Sequence, residues 1–237
     1  MDGIRNCQPH SPIRGVIFDM DGTLLDTEQI YARAWRAVGA ELHFARVEEA
    51  IQACTGRNMN DTRRYFGETF PEISYERFME ARERHYRAII LAEGVPLKPG
   101  ALELLECLRK KGMRLALGTS TRRERVAYNL ETTGLGRYLD AVVTGDMVAR
   151  GKPDPETFLT ATRLLGLEPS VCAGVEDSCN GVRAIRNAGM LTVMVPDAIP
   201  PDEETRRLAD AVCPDLTAAG EFILRYGLTA EDVRPTD

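Results

Sequence analysis

Asp19 and Asp21 stand two residues apart where an apolar, β-prone stretch (Ile13, Val16, Ile17, Phe18) ends, and Gly22 follows them. A carboxylate at the mouth of a hydrophobic strand is costly to bury unless it is paired, hydrogen-bonded or bound to a metal. A glycine permits a sharp turn there without a Cβ penalty. Taken alone, Asp-x-Asp-Gly is also the composition of an ordinary turn after a strand. Three further places carry groups of similar chemical reach. Thr119-Ser120-Thr121 follow the apolar run 113–117, Lys152 lies in the proline-stiffened loop Gly151-Lys-Pro-Asp-Pro-Glu156, and Glu176-Asp177 follow the run 171–175. Each has a local explanation too. The hydroxyl cluster and Asp177-Ser178 are good helix caps, Asp154-Pro155 reads as a cap followed by a first-turn proline, and a loop lysine is ordinarily solvated.

The elements that must position these groups follow from the apolar periodicity. After the first strand, Asp26-Thr27 reads as a capping pair for a helix with Ile30, Tyr31, Ala34, Trp35 and Val38 on one face. Val47, Ala50, Ile51 and Cys54 mark a second helix, 59–66 a third and 75–91 a fourth, with no strand pattern between them. Beyond Val95-Pro-Leu-Lys-Pro-Gly100 helices alternate with short apolar strands: helix 101–111, strand 113–117, helix 122–133, strand 141–143, helix 155–165, strand 171–175, helix 181–188 and strand 191–195. A last strand is expected at 211–213, with a helix after Asp215. Such alternation predicts an α/β fold, a Rossmann-like parallel sheet covered on both faces. The gap between the first two strands far exceeds a βαβ crossover. Residues 28–95 are therefore expected to be an all-α cap domain inserted into a core formed by 1–27 and 96–237. Ligands in open parallel sheets bind beyond the carboxyl ends of the strands. Asp19 and Asp21, Thr119, Lys152, and Glu176-Asp177 all fall at or just after strand ends, so they should converge on one edge.

The string Phe-Asp-Met-Asp-Gly-Thr-Leu-Leu-Asp-Thr27 resembles the first motif of the haloacid dehalogenase-like hydrolase superfamily. Leu117-Gly118-Thr119 resembles its second motif, Gly151-Lys-Pro-Asp-Pro-Glu156 its third and Val175-Glu-Asp-Ser-Cys-Asn-Gly181 its fourth. With a cap between the first two motifs, the order is similar to the subgroup of β-phosphoglucomutases and many sugar-phosphate phosphatases. The resemblance implies that Asp19 attacks phosphorus to form an aspartyl phosphate and that Asp21 serves as acid and base. It also implies that the backbone carbonyl of Asp21 completes the protein ligands of a metal.

A phosphate monoester is dianionic and repels an attacking carboxylate. Mg²⁺ relieves that repulsion and favours carboxylate, carbonyl and water oxygens. The metal ligands are expected to be Asp19, Asp21 and Asp177, with Glu176 a ligand or an outer holder. Thr119, Ser120 and Lys152 are expected to bind the phosphoryl group, the lysine as a compact positive charge. The cap should close over the site and contact the rest of the substrate, with Arg57 a candidate for that contact.

Net charge is −6 and the isoelectric point is near 5.3. That balance supplies no global basic field for nucleic acid or an anionic membrane. No apolar run approaches a membrane span, and the N-terminus lacks a signal-peptide stretch, so a cytoplasmic monomer acting on a small phosphorylated metabolite is expected. Cys7, Cys54, Cys107, Cys172, Cys179 and Cys213 contain no C-x-x-C and read as free thiols, with Cys179 a bystander in its motif.

The expected activity is a Mg²⁺-dependent phosphatase for a sugar or nucleoside phosphate. The alternative is a β-phosphoglucomutase-type isomerase. Such mutases carry a histidine where this chain has Tyr31, and a lysine before a cap glycine where it has Thr55. Residues 28–95 contain no lysine, which counts against a Schiff-base phosphonate hydrolase.

Overall fold

The computed structural model describes residues 12–55 and 59–226. The described chain divides into two compact units, one formed by residues 12–24 and 98–226, the other by residues 25–55 and 59–97.

The first unit is built on a parallel sheet of β1 (Gly15–Phe18), β2 (Arg114–Gly118), β3 (Ala141–Val143), β4 (Cys172–Glu176), β5 (Leu191–Met194) and β6 (Ala211–Val212). The strand order is β3-β2-β1-β4-β5-β6. β1 is the pivot: Phe18 lies level with Leu117 of β2 on one side and Val175 of β4 on the other. The chain builds outward from β1 in one direction and then in the other. The crevice where the order reverses lies at the carboxyl end of β1. All four residues of β1 are buried, as a strand covered on both faces requires.

Ten helices complete the described chain. α1 (Glu28–Glu41), α2 (Val47–Cys54), α3 (Met59–Thr69) and α4 (Tyr75–Glu93) form the second unit. α5 (Ala101–Lys110), α6 (Arg123–Thr133), α7 (Glu156–Leu165), α8 (Cys179–Asn187), α9 (Glu203–Leu208) and α10 (Leu216–Arg225) belong to the first. On one face of the sheet, Ile17, Ala116 and Val143 pack with Phe158, Ala161 and Leu165 of α7 and with Ala184 and Ile185 of α8. Gly174 lets α8 sit that close, because a Cβ there would lie 2.6 Å from Ile185.

The boundaries differ from the sequence reading where side chains outside the helix satisfy its end. The helix after Thr119-Ser120-Thr121 starts at Arg123, and Asp146, from the β3 side, accepts the Arg123 N–H at 2.9 Å in place of a local cap. The side chain of Thr27 makes no capping bond to α1. Pro155 takes the N-cap position of α7, although the Asp154 carboxylate still accepts the Glu156 N–H at 3.0 Å. The short α9, capped by Asp202, carries too few apolar residues to announce itself by periodicity.

The helical unit has its own core. Trp35, Val38, Phe44, Phe66, Phe70 and Phe78 are buried together, with Trp35 edge-on to Phe78 at a centroid distance of 4.9 Å. The unit is longer at each end than 28–95 because Leu25 and Leu97 form an antiparallel bridge and the Asp26 N–H donates to the Pro96 carbonyl at 2.9 Å. Among the described residues no helix is long and apolar enough to cross a membrane.

Candidate active site

Asp19 follows β1 directly, and its N–H still donates to Val175 of β4 at 3.0 Å, so the ladder carries the residue one step past the strand. Its carboxylate is buried. Across the crevice β4 ends in Glu176, also buried, and Asp177 follows. Asp19, Glu176 and Asp177 each offer a carboxylate oxygen within 4.8 Å of the others.

Lys152 reaches this cluster from the loop between β3 and α7. Its Nζ donates to Asp19 Oδ1 at 2.5 Å and to Glu176 Oε1 at 2.7 Å, with its side chain only 7% exposed. The ammonium also lies 5.1 Å from the centre of the Phe158 ring, a cation–π distance. Lys152 is thus a buried ion-pair member rather than a solvated loop lysine.

One lysine cannot balance three acids. Burial, opposed by Lys152 and reinforced by Glu176, pushes Asp19 up to about 8. Burial and then the charges of Glu176 and Asp19 hold Asp177 well above the usual carboxylate range. For Lys152, burial alone would lower the pKa, but the fields of Asp19 and Glu176 outweigh it and raise it.

Two glycines make the cluster possible. Gly22 has φ of +86°, and a Cβ there would stand 2.4 Å from Asp177 Oδ2. A Cβ on Gly181, in the first turn of α8, would fall 1.8 Å from the Glu176 carboxyl. The remaining polar partners come from the motifs themselves. Thr23 donates to Asp177 Oδ1 at 3.3 Å, while the N–H and hydroxyl of Ser178 donate to Glu176 Oε2 at 2.7 and 2.8 Å. Ser178 also caps α8 by accepting the Gly181 N–H, so capping and the site share one residue.

The residue set fits a divalent cation. Three carboxylates meet one ammonium, and the repulsion that raises Asp19 and Asp177 is of the kind a hard cation relieves. Asp197, after β5, adds a further negative field at Asp177. Its own Oδ2 is buried with no hydrogen-bond partner, while Oδ1 accepts from Lys98 at 2.5 Å. Glu176 has both oxygens engaged, by Lys152 and by Ser178, which suits an outer holder better than a direct ligand.

Thr119 lies after β2, buried, with its N–H donating to Val143 of β3 at 3.0 Å. Its hydroxyl accepts the Thr121 N–H at 3.0 Å, which leaves the hydroxyl hydrogen free to be donated elsewhere. Ser120 is exposed. Its carbonyl is approached so closely that a Cβ on Gly145 would lie 2.1 Å from it. The Thr121 hydroxyl donates to Asp21 Oδ2 at 2.6 Å.

Asp19, Glu176, Asp177 and Lys152 are thus in direct mutual contact or within a few ångströms, and Asp21 is joined to the hydroxyl loop. Arg57 lies outside the described residues. Sequence reasoning passed over Thr23, Ser178 as a partner of Glu176, Asp197, and Thr121 as anything but a capping residue. Only the first two had a local signal, since each lies within two residues of a motif acid.

A family model of haloacid dehalogenase-like hydrolases matches residues 13–189. The chain belongs to that family. It is 34% identical over 179 residues to the phosphorylated carbohydrates phosphatase of Thermotoga maritima, covering 75% of this chain and 82% of the relative. It is 30% identical over 191 residues to β-phosphoglucomutase of Bacillus subtilis, covering 77% and 83%. Among solved structures, a haloacid dehalogenase family hydrolase from Deinococcus radiodurans with bound phosphate and sodium aligns with a TM-score of 0.76 at 28% identity, covering 93% of this chain and 99% of that one.

Proposed function

We propose that the protein is a Mg²⁺-dependent phosphatase that hydrolyses a small sugar or nucleoside phosphate through an aspartyl phosphate on Asp19. The observation that carries this reading is the buried cluster of Asp19, Glu176 and Asp177 with Lys152 donating to Asp19 at 2.5 Å, at the carboxyl ends of β1 and β4. A structural salt bridge needs one acid; this site holds a surplus of negative charge that suits a cation and a phosphoryl group.

In this reading Asp19, the Asp21 carbonyl and Asp177 would hold the metal, with Glu176 held by Lys152 and Ser178. When bound, Mg²⁺ would neutralise charge on the phosphate dianion as a Lewis acid. The Thr119 hydroxyl and Lys152 bind the phosphoryl oxygens. Asp19 attacks phosphorus, the bond from phosphorus to the substrate oxygen breaks, and protonated Asp21 gives its proton to that oxygen. Water then attacks phosphorus, the bond to Asp19 breaks, and the water proton passes to Asp21.

Phosphatase is favoured over mutase by the helical unit's own residues. Tyr31, where a mutase histidine is expected, stacks on Tyr86 at 4.7 Å with the Arg82 guanidinium 5.4 Å from its ring. The Thr55 hydroxyl, where the mutase lysine is expected, donates to the Ile51 carbonyl at 2.8 Å. Neither position offers a basic group to hold a phosphoryl-enzyme against water. Relatives of both kinds exist, so the test must separate them. Supplied with β-glucose 1-phosphate or a better substrate from a panel of sugar and nucleoside phosphates, the protein should release inorganic phosphate in step with substrate loss and stop when the metal is chelated. Glucose 6-phosphate accumulating with almost no free phosphate would overturn the phosphatase in favour of the mutase.

A further inference from the structure

The hydroxyl loop after β2 carries a second role. Resting on the acid–base reading of Asp21, we infer that Thr121 helps to position the Asp21 carboxyl for proton transfer. The Thr121 hydroxyl donates to Asp21 Oδ2 at 2.6 Å, at the short end of O–H···O distances. The backbone of Thr121 is fixed on both sides. Its N–H donates to Thr119 Oγ1 at 3.0 Å, and its carbonyl accepts the Gly145 N–H at 2.9 Å. Gly145 can approach only because it has no Cβ, which would meet the Ser120 carbonyl at 2.1 Å.

The loop is braced a second time through Asp146. That side chain accepts both the Arg123 N–H at 2.9 Å and the Thr144 hydroxyl at 2.7 Å. The anchor for Asp21 is therefore held by hydrogen bonds on both sides, and β-branching limits the rotamers of the hydroxyl that reaches out from it. A hydroxyl suits the task because Asp21 must alternate between acid and carboxylate. Its donation to Oδ2 is compatible with both forms and leaves Oδ1 to carry the proton to and from the reacting oxygen. A helix cap would aim the hydroxyl at the first turn of α6, but it points at Asp21, and the Arg123 N–H has Asp146 instead.

If Thr121 acts through Asp21, its loss should matter in proportion to how much the leaving group needs a proton. The experiment compares p-nitrophenyl phosphate, whose phenolate leaves unaided, with phenyl phosphate, whose far weaker acid needs protonation. Release of the alcohol is followed in the first turnover with Mg²⁺ present. Thr121→Val should slow release from phenyl phosphate by ~10–100-fold, a part of the full acid–base effect. Release from p-nitrophenyl phosphate should change by less than ~3-fold, and KM for either should stay within ~3-fold. Thr121→Ser, which keeps the hydroxyl, should recover most of the rate.

Equal losses on the two substrates, or a serine variant as slow as valine, would make Thr121 a structural residue and overturn the inference. An unchanged rate on phenyl phosphate would do the same. Asp21→Asn, run in parallel, separates the two levels of the argument. It should abolish release from phenyl phosphate. A variant that keeps the parent rate would remove Asp21 as the acid, and the role of Thr121 with it, whereas a dead Asp21→Asn beside an unimpaired Thr121→Val sinks the Thr121 inference alone.

Discussion

In the α/β unit one cluster of charged groups lies inside. Lys152 and Glu176 have side chains 7% and 2% exposed, they touch at 2.7 Å, and apolar residues such as Phe158 surround them. In the helical unit the arrangement is inverted. Its interior is a set of aromatic rings, with Phe66 meeting Phe70 at 5.2 Å and Phe78 at 5.1 Å, while Arg33–Glu93, Arg36–Glu48 and Arg63–Glu76 pair on the surface with side chains about half exposed or more. Buried like charges with one counter-charge are a stability cost that chemistry can use, because a ligand of opposite sign relieves it. Solvated pairs store little and respond to little. The contrast separates a region built to bind from a region built to hold its shape.

The largest effect should come from the buried acid itself. Asp19→Asn should cut phosphate release by at least about a thousandfold while the circular dichroism spectrum stays that of the parent. A labile phosphoryl-enzyme still forming in that variant would assign the nucleophile to another residue. In the helical unit the corresponding lesion is a cavity. Phe66→Ala should destabilise that unit by about 3–5 kcal/mol, visible as an early step in thermal or urea unfolding. A loss below about 1 kcal/mol would mean that its aromatic core is not what holds the insert together.

A pH experiment sharpens the contrast. Asp19 is raised to about 8 in the folded metal-free protein, against about 3.9 in an unfolded chain. Between those values the native state holds a proton that the unfolded state has lost, so stability is fully present below about 4 and falls as pH rises to about 8. Asp177, shifted in the same direction, adds to the trend. The melting temperature in chelator should therefore drop across that interval. Mg²⁺, competing with those protons, should raise it more at pH 8 than at pH 5. A flat melting profile in chelator would remove the surplus charge on which the metal assignment rests.

The smallest effect belongs to the surface of the helical unit. Arg36→Ala, which breaks the pair with Glu48, should leave the melting temperature and its salt dependence within experimental error. A clear loss would show that the exposed pairs of this unit form a supporting network.

The sheet and its order of elements were legible because strand and helix periods differ and because each strand of the core is a short apolar run with a turn signal behind it. The chemistry was legible for a related reason. Asp19, Asp21, Thr119, Lys152, Glu176 and Asp177 follow strands or lie in a loop beyond one, and a parallel sheet brings its carboxyl ends together whatever the helices between them contain. The sequence by itself therefore determined the fold class, the family and which polar groups the strand ends bring near one another.

Tertiary structure alone decided how those groups engage. That Glu176 has both oxygens taken depends on Lys152 and Ser178, one of them on another loop. That Thr121 serves Asp21 rather than α6 depends on Asp146, 23 residues beyond Arg123, supplying the cap instead. The close approach of Gly145 to the Ser120 carbonyl, and the unpartnered oxygen of Asp197, are likewise visible only in the folded chain. Hydrogen bonds and buried charges depend on distances of a few tenths of an ångström between residues remote in the chain, and residue order does not encode such distances until the packing sets them.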